Sequence, residues 1–173
     1  MDIYLLRHGD AVDRLTGGYA HDEDRPLTEK GQQEARIAAE SLRGLGVTIA
    51  QIFASPLVRA TQTARIADEI LRPARGLIRC DALAPGGTLG ESIAALAGVG
   101  TNDAVLLVGH MPVLGELAGW LIWGDPLMTL PFRTGGLCGL TIPTPSQPGQ
   151  GDFLWFAPPK LLRRLGREEA GSA

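Results

Sequence analysis

Residues 3–10 read Ile-Tyr-Leu-Leu-Arg-His-Gly-Asp, and this stretch constrains the fold more than any other. Its start is almost wholly apolar, so neither of its faces suits water. Such a run fits a strand buried on both faces in the middle of a parallel sheet. Gly9 then permits a sharp turn and a close backbone approach. Arg7 and His8 are thereby set at the carboxyl end of a central strand, where open α/β sheets place their ligands. The tripeptide alone fits equally a strand end that happens to be polar. What weighs against that is a second apolar run, Ala104 to Val108, which ends in Gly109-His110-Met111-Pro112.

The segments between these strands alternate in period. After a polar loop from Ala11 to Pro26, Thr28 is a good helix N-cap, and Ala35, Ala38, Ala39, Leu42 and Leu45 recur at helical spacing up to Gly44 and Gly46. Ile49 to Ala54 reads as a strand. Ser55-Pro56 reads as an N-cap with proline in the first helical position, ahead of a helix from about Leu57 to Leu71. Leu77 to Cys80 is a short strand, Thr88 to Ala97 a short helix, and Val113 to Trp123 an apolar one. Gly136 to Ile142 and Phe153 to Phe156 read as an antiparallel hairpin at the sheet edge. A helical turn at Lys160 to Leu165 and a poorly ordered tail after about residue 160 close the chain. This pattern predicts one domain over residues 1–173: a three-layer α/β/α sandwich with a mainly parallel central sheet and an antiparallel edge hairpin.

Composition excludes some function classes. A net charge of −3 argues against a general nucleic-acid binder, which needs a basic face. No apolar run reaches the roughly 18 residues of a membrane span, so no membrane partner is expected. Cys80 and Cys138 have no metal-site spacing and suggest no disulfide framework, which makes a reducing cytoplasm the expected compartment.

The chemistry lies in two histidines and three arginines. Arg59 falls in the first turn of its helix, where a cation opposes the helix dipole unless an anion is bound there. Arg25 follows the acidic stretch His21-Asp22-Glu23-Asp24. It reads either as part of the same pocket or as a surface salt bridge with Asp22 or Glu29. Arginine presents a planar fork of donors that suits phosphate oxygens. Neutral histidine is a nucleophile able to form a phospho-intermediate. There is no Gly-Lys-Ser/Thr phosphate loop, so side chains and helix ends would have to hold a phosphate.

Four motifs now stand in order: Leu6-Arg7-His8-Gly9; Arg25-Pro26-Leu27-Thr28 with Gly31; Ser55-Pro56-Leu57-Val58-Arg59-Ala60 with Gln62-Thr63-Ala64; and Val108-Gly109-His110-Met111-Pro112. Together they resemble the histidine phosphatase superfamily, the phosphoglycerate mutase-like fold, from Asp2 to about Pro159. Within it the chain is most similar to the SixA-type phosphohistidine phosphatases. The resemblance implies a hydrolase that removes phosphate from a phosphohistidine on a protein, such as a histidine phosphotransfer domain in signal transduction. His8 would be the nucleophile. Arg7, Arg59 and His110 would contact the phosphate, and Arg25 would complete the pocket. No metal and no other cofactor is implied.

Many superfamily members carry a general acid in the loop corresponding to residues 81–90. Here only Asp81 and Glu91 are near, both would have to be re-aimed, and a loop cap and a solvated helix residue are the better readings of them. General acid catalysis is worth roughly 10²–10⁴-fold for a poor leaving group. A departing imidazole needs it least, since its reference pKa is about 6.5. Only about thirty residues separate Leu71 from Ala104, too few for a large lid, so the pocket is expected to be open enough for a phosphorylated protein side chain. Three other readings stay open. The first is a phosphomonoesterase for small phosphate esters, with Asp81, Glu91 or Asp10 as its acid. The second is a phosphate-binding protein without turnover. The third is a metal hydrolase built on His8, Asp10, His21 and His110, which Arg7 and Arg59 disfavour by repelling a cation.

Overall fold

The computed structural model describes residues 1–170, with side chains through residue 164. Six strands form one sheet in the order β3-β2-β4-β1-β5-β6. They are β1 (Asp2–Arg7), β2 (Ile49–Ala54), β3 (Leu77–Arg79), β4 (Ala104–Gly109), β5 (Leu137–Thr141) and β6 (Asp152–Ala157). β1 pairs parallel with β4, β4 with β2, and β2 with β3. β5 runs antiparallel to β1, and β6 antiparallel to β5. Only β5 therefore points against the other five, and the predicted edge hairpin is β5–β6.

The apolar runs of β1 and β4 are explained by their position. Ile3, Leu5, Val105 and Leu107 enter one core with Leu114, Leu117 and Leu121. The alternate residues Tyr4, Leu6, Leu106 and Val108 enter a second core with Ala38, Leu42, Ala60 and Ala64. Both strands are thus covered on both sides, as period-two alternation requires of a middle strand. Helices α1 (Glu29–Gly44), α2 (Val58–Leu71) and α5 (Pro159–Ala170) cover one face, and α3 (Leu89–Ala95) and α4 (Val113–Trp123) the other. The small residues Ala35, Ala38, Ala39, Ala60, Ala64 and Ala67 are wholly buried and allow α1 and α2 to lie close together.

Two expectations shift. The N-cap of α2 is Leu57, not Ser55, and it caps with extended backbone and no side-chain bond. The Ser55 hydroxyl accepts from the Leu57 amide at 3.4 Å and is shared with a distant partner, as described below. The turn expected at Lys160–Leu165 belongs to the longer α5, in which Leu162 is buried against the second core. The last residues of the expected loose tail, 171–173, lie outside the described residues. Thr88 caps α3 in a capping box with Glu91, and Thr28 caps α1 by accepting from the Gly31 amide.

Candidate active site

Sheet register brings the two histidines together. Arg7 stands opposite Gly109 in the β1–β4 ladder, so His8 and His110 leave adjacent parallel strands side by side. Their ring centroids are 4.7 Å apart, and both residues are buried. β2 ends one strand further over, where the Ser55 amide donates to the Val108 carbonyl. The Ser55 hydroxyl lies 2.9 Å from His110 Nε2 and fixes that ring.

His8 is held as a neutral imidazole with a defined tautomer. Its Nδ1 is 2.7 Å from the Gly9 carbonyl. A carbonyl only accepts, so Nδ1 carries the proton and Nε2 keeps its lone pair. Arg59 Nε donates to that Nε2 at 3.3 Å. Burial, reinforced by Arg59, Arg7 and Arg25, pushes the His8 pKa down to about 4, against the opposing pull of the Gly9 bond. For His110, burial first and then His8, Arg59 and Arg7 push it down to about 3. Both rings are uncharged at neutral pH, which leaves the arginines as the cations of the site.

The arginines differ in how they are held. Arg59 is buried at the start of α2. Arg7 donates from Nη1 to the Phe132 carbonyl at 2.7 Å, while its buried Nε has no hydrogen-bond partner among the described residues. Buried donors are nearly always paired, so this N–H is suited to an oxyanion. Arg25 is fixed by Nε to the Val12 carbonyl and by Nη1 to Asp22 Oδ1, each at 2.6 Å. Asp22 also binds Arg59, through Oδ2 to Nη2 at 2.7 Å and through its carbonyl to Nη1 at 2.6 Å. The two readings of Arg25 are therefore both present: it pairs with Asp22, and through Asp22 it joins the cluster.

Asp81 and Glu91 lie apart from this network. Asp81 is well exposed and paired with Arg79 at 2.7 Å. Glu91 accepts from the Thr88 amide and hydroxyl, and those bonds hold its carboxyl below the usual carboxylate range. Neither bonds to His8, His110, Arg7, Arg59 or Arg25 among the described residues. Asp10 accepts from the Thr28 hydroxyl at 3.0 Å. Among the described residues no three His, Cys, Asp or Glu cluster as a metal site, and Cys80 and Cys138 are free and buried.

Supporting residues not singled out from sequence close the site from behind. Thr63 Oγ1 accepts from the Gly9 amide at 3.1 Å and donates to the Arg59 carbonyl at 2.8 Å, tying nucleophile loop to arginine helix. Its signal was present: Thr63 lies four residues after Arg59, on the same helix face. Glu34, buried on α1, accepts from the Asp10 amide at 3.1 Å and pairs with Arg163. Gly9 and Gly31 pack backbone to backbone, and a Cβ on either would collide with main-chain atoms of the opposite segment. Beside the arginines, Arg14, Ala20, His21, Asp22, Glu23, Leu57 and Pro85 line a cleft of about 290 Å³.

The arrangement presents one nitrogen nucleophile amid three guanidinium groups, which is the equipment for handling a phosphoryl group. Similarity to known proteins runs the same way. Residues 3–82 match the histidine phosphatase superfamily (branch 1). The phosphohistidine phosphatase SixA of Escherichia coli is 33% identical over 94% of this chain and 97% of its own. A solved structure of the protein histidine phosphatase SixA complexed with tungstate superimposes with a TM-score of 0.80 at 32% identity, covering 92% of this chain and 98% of that one. The alpha-ribazole phosphatase of Shigella flexneri shares the fold alone, with a TM-score of 0.67 at 17% identity, over 92% of this chain and 97% of that one. The fold is thus the phosphoglycerate mutase-like one, and the chain belongs to the histidine phosphatase superfamily.

Proposed function

We propose that this phosphatase is a phosphohistidine phosphatase of the SixA type, acting on a phosphohistidine carried by another protein. The observation that supports this most is His8, a buried neutral imidazole with Nε2 directed at Arg59 and Nδ1 tied to Gly9. Near full-length similarity to SixA supports the substrate class.

In this reading Arg7, Arg25, Arg59 and His110 hold the phosphoryl oxygens. His8 Nε2 attacks phosphorus in line with the P–N bond of the substrate. That bond breaks with its electron pair going to the departing imidazole, which leaves neutral if its nitrogen is already protonated and otherwise takes a proton from water. Water then attacks the phosphorus of phospho-His8, the P–Nε2 bond breaks, and inorganic phosphate is released with the imidazole restored. The chemistry asks for no strong general acid, in keeping with the commitments of Asp81 to Arg79 and of Glu91 to Thr88. The cleft next to the arginines is lined mostly by exposed loop residues, which suits a projecting side chain of a folded partner better than a wholly enclosed ligand. In this reading the partner is a phosphoprotein such as a histidine phosphotransfer domain, with signal transduction as the setting. Two buried free thiols suit a reducing cytoplasm. No described helix is long and apolar enough to cross a membrane.

The test is turnover, without added metal, of a phosphohistidine-bearing protein beside a panel of phosphate esters, for wild type and His8→Ala. Much faster cleavage of the phosphohistidine, lost in His8→Ala, is the expected result. Preferential hydrolysis of the esters would overturn the substrate class while leaving His8 as the nucleophile.

A further inference from the structure

Asp22 stands where an incoming phosphoryl group has to go. One carboxylate oxygen is 2.6 Å from Arg25 Nη1, the other is 2.7 Å from Arg59 Nη2, and the residue's own carbonyl is 2.6 Å from Arg59 Nη1. Two carboxylate oxygens spanning two guanidinium forks reproduce the contacts that phosphate oxygens make with such forks. At its other end Arg59 donates Nε–H to His8 Nε2 at 3.3 Å. The attacking lone pair and both forks are therefore already engaged. A phosphorus atom reaches Nε2 only after the Arg59 N–H turns from that nitrogen toward phosphoryl oxygens, and Asp22 is the contact Arg59 exchanges in doing so.

The two partners are unequal in mobility. The Arg59 side chain is 6% exposed and anchored on α2, whereas that of Asp22 is 47% exposed. Asp22 belongs to a 3₁₀ turn, Asp22–Asp24, in which no residue is buried. The carboxylate is the member that can withdraw. It is also firmly ionised, since Arg25 first and then Arg59 hold its carboxyl below the usual range. A pocket of three cations with no internal anion would retain its dianionic product. A returning carboxylate offsets that by helping phosphate to leave.

We propose that Asp22 is an affinity-determining residue: an internal carboxylate that occupies the Arg25 and Arg59 forks until a phosphoryl group displaces it, and returns as phosphate departs. The proposal rests on the reading of those arginines as phosphate holders. Binding to a site that must first be freed is weaker than binding to a free one by the fraction of time it is free. Removing the competitor tightens binding.

The experiment is calorimetric titration of inorganic phosphate and of tungstate into wild type, Asp22→Asn, Asp22→Ser and Asp24→Asn. Asp24 lies in the same turn and has no side-chain contact to either arginine among the described residues, so its variant removes an equal charge without freeing a fork. The expected result is that both Asp22 variants bind both ions about tenfold more tightly, while Asp24→Asn changes binding less than twofold. Under turnover, KM and the inhibition constant of phosphate fall together in Asp22→Asn. If both Asp22 variants bind no more tightly than Asp24→Asn, or more weakly, the proposal is overturned and Asp22 merely positions the arginines. If wild type and all variants bind neither ion, the phosphate pocket itself is wrong, and the proposal goes with it.

Discussion

The two sides of the site are built differently. On the sheet side, His8, His110, Ser55 and Thr63 are buried, and each is fixed by a hydrogen bond to its neighbour or to main chain. On the loop side, Asp22 and Arg25 come from a segment with little secondary structure, and they are held by charge pairs and by two side-chain bonds to main-chain carbonyls, Arg25 to Val12 and Arg59 to Asp22. The sheet side presents the nucleophile with a set tautomer and cannot yield without disturbing the core. The loop side can yield, and it is the side that faces the cleft. A reaction that must grip phosphate and then release it profits from having one rigid wall and one adjustable wall.

Mutations separate the two walls. On the rigid wall, His8→Ala removes the nucleophile, and turnover of a phosphohistidine protein should fall to background in a single-turnover assay. Arg59→Ala should lower kcat about 10²–10³-fold, the usual loss when one preorganised charge-stabilising donor is removed. On the adjustable wall, Arg25→Ala should act mainly on KM and by no more than about tenfold, because a solvated, partly exposed cation is worth less. Equal losses in the two arginine variants would erase the distinction.

Acid should loosen the rigid wall selectively. The folded-state values, about 4 for His8 and about 3 for His110, lie below the unfolded value of 6.5. Between these values the unfolded chain binds more protons. Stability is therefore complete above pH 6.5 and is lost as pH falls toward 4. Each histidine contributes a slope approaching 1.4 kcal/mol per pH unit, about the linkage limit for one proton. Urea unfolding of wild type and His110→Gln at pH 7 and pH 5 measures it. The variant should be less pH-sensitive, and an unchanged slope would mean that the ring is solvated.

Smaller effects test the supports. Thr63→Val leaves the buried Gly9 amide without its acceptor and should cost about 1–3 kcal/mol in unfolding free energy. Asp81→Asn and Glu91→Gln should leave phosphohistidine turnover within about twofold, with Glu91→Gln weakening only the capping box of α3. A large loss of turnover in either would show that an acid reaches the leaving group after all.

The rigid wall was the legible one. Residues 3–6 and 104–108 announce central strands by their unbroken apolar runs, and parallel pairing then places the histidines that follow them side by side. The adjustable wall was legible only in part: Arg25 stood out, with Asp22 or Glu29 as its partner, but the link from Asp22 to Arg59 did not. Asp22, Glu23 and Asp24 are consecutive acids in a polar loop, and nothing local distinguishes the one whose side chain turns inward. The contact of Asp22 with Arg59 spans 37 residues, beyond any periodicity. The start of α2 differs for a related reason: the Ser55 hydroxyl is shared between the Leu57 amide and His110, 55 residues away. The extent of α5 was hidden because its anchor, the Arg163–Glu34 pair, is likewise remote.

The Arg7–His8 strand end is clasped by a segment from far along the chain. The Phe132 carbonyl takes the Arg7 guanidinium, the Gly135 amide donates to the carbonyls of both Arg7 and His8, and the Gly136 carbonyl accepts from the Arg7 amide. Three of the four motifs lie within the first 64 residues, yet the arginine and histidine of the first are oriented only once residues 132–136 have docked. During synthesis, a ribosome would have made some three quarters of the protein before phosphate-handling geometry could exist. Such long-range closure is slow compared with local structure, so a nascent or truncated chain bearing the recognisable N-terminal motifs would have no means of stripping phosphate from its partners prematurely.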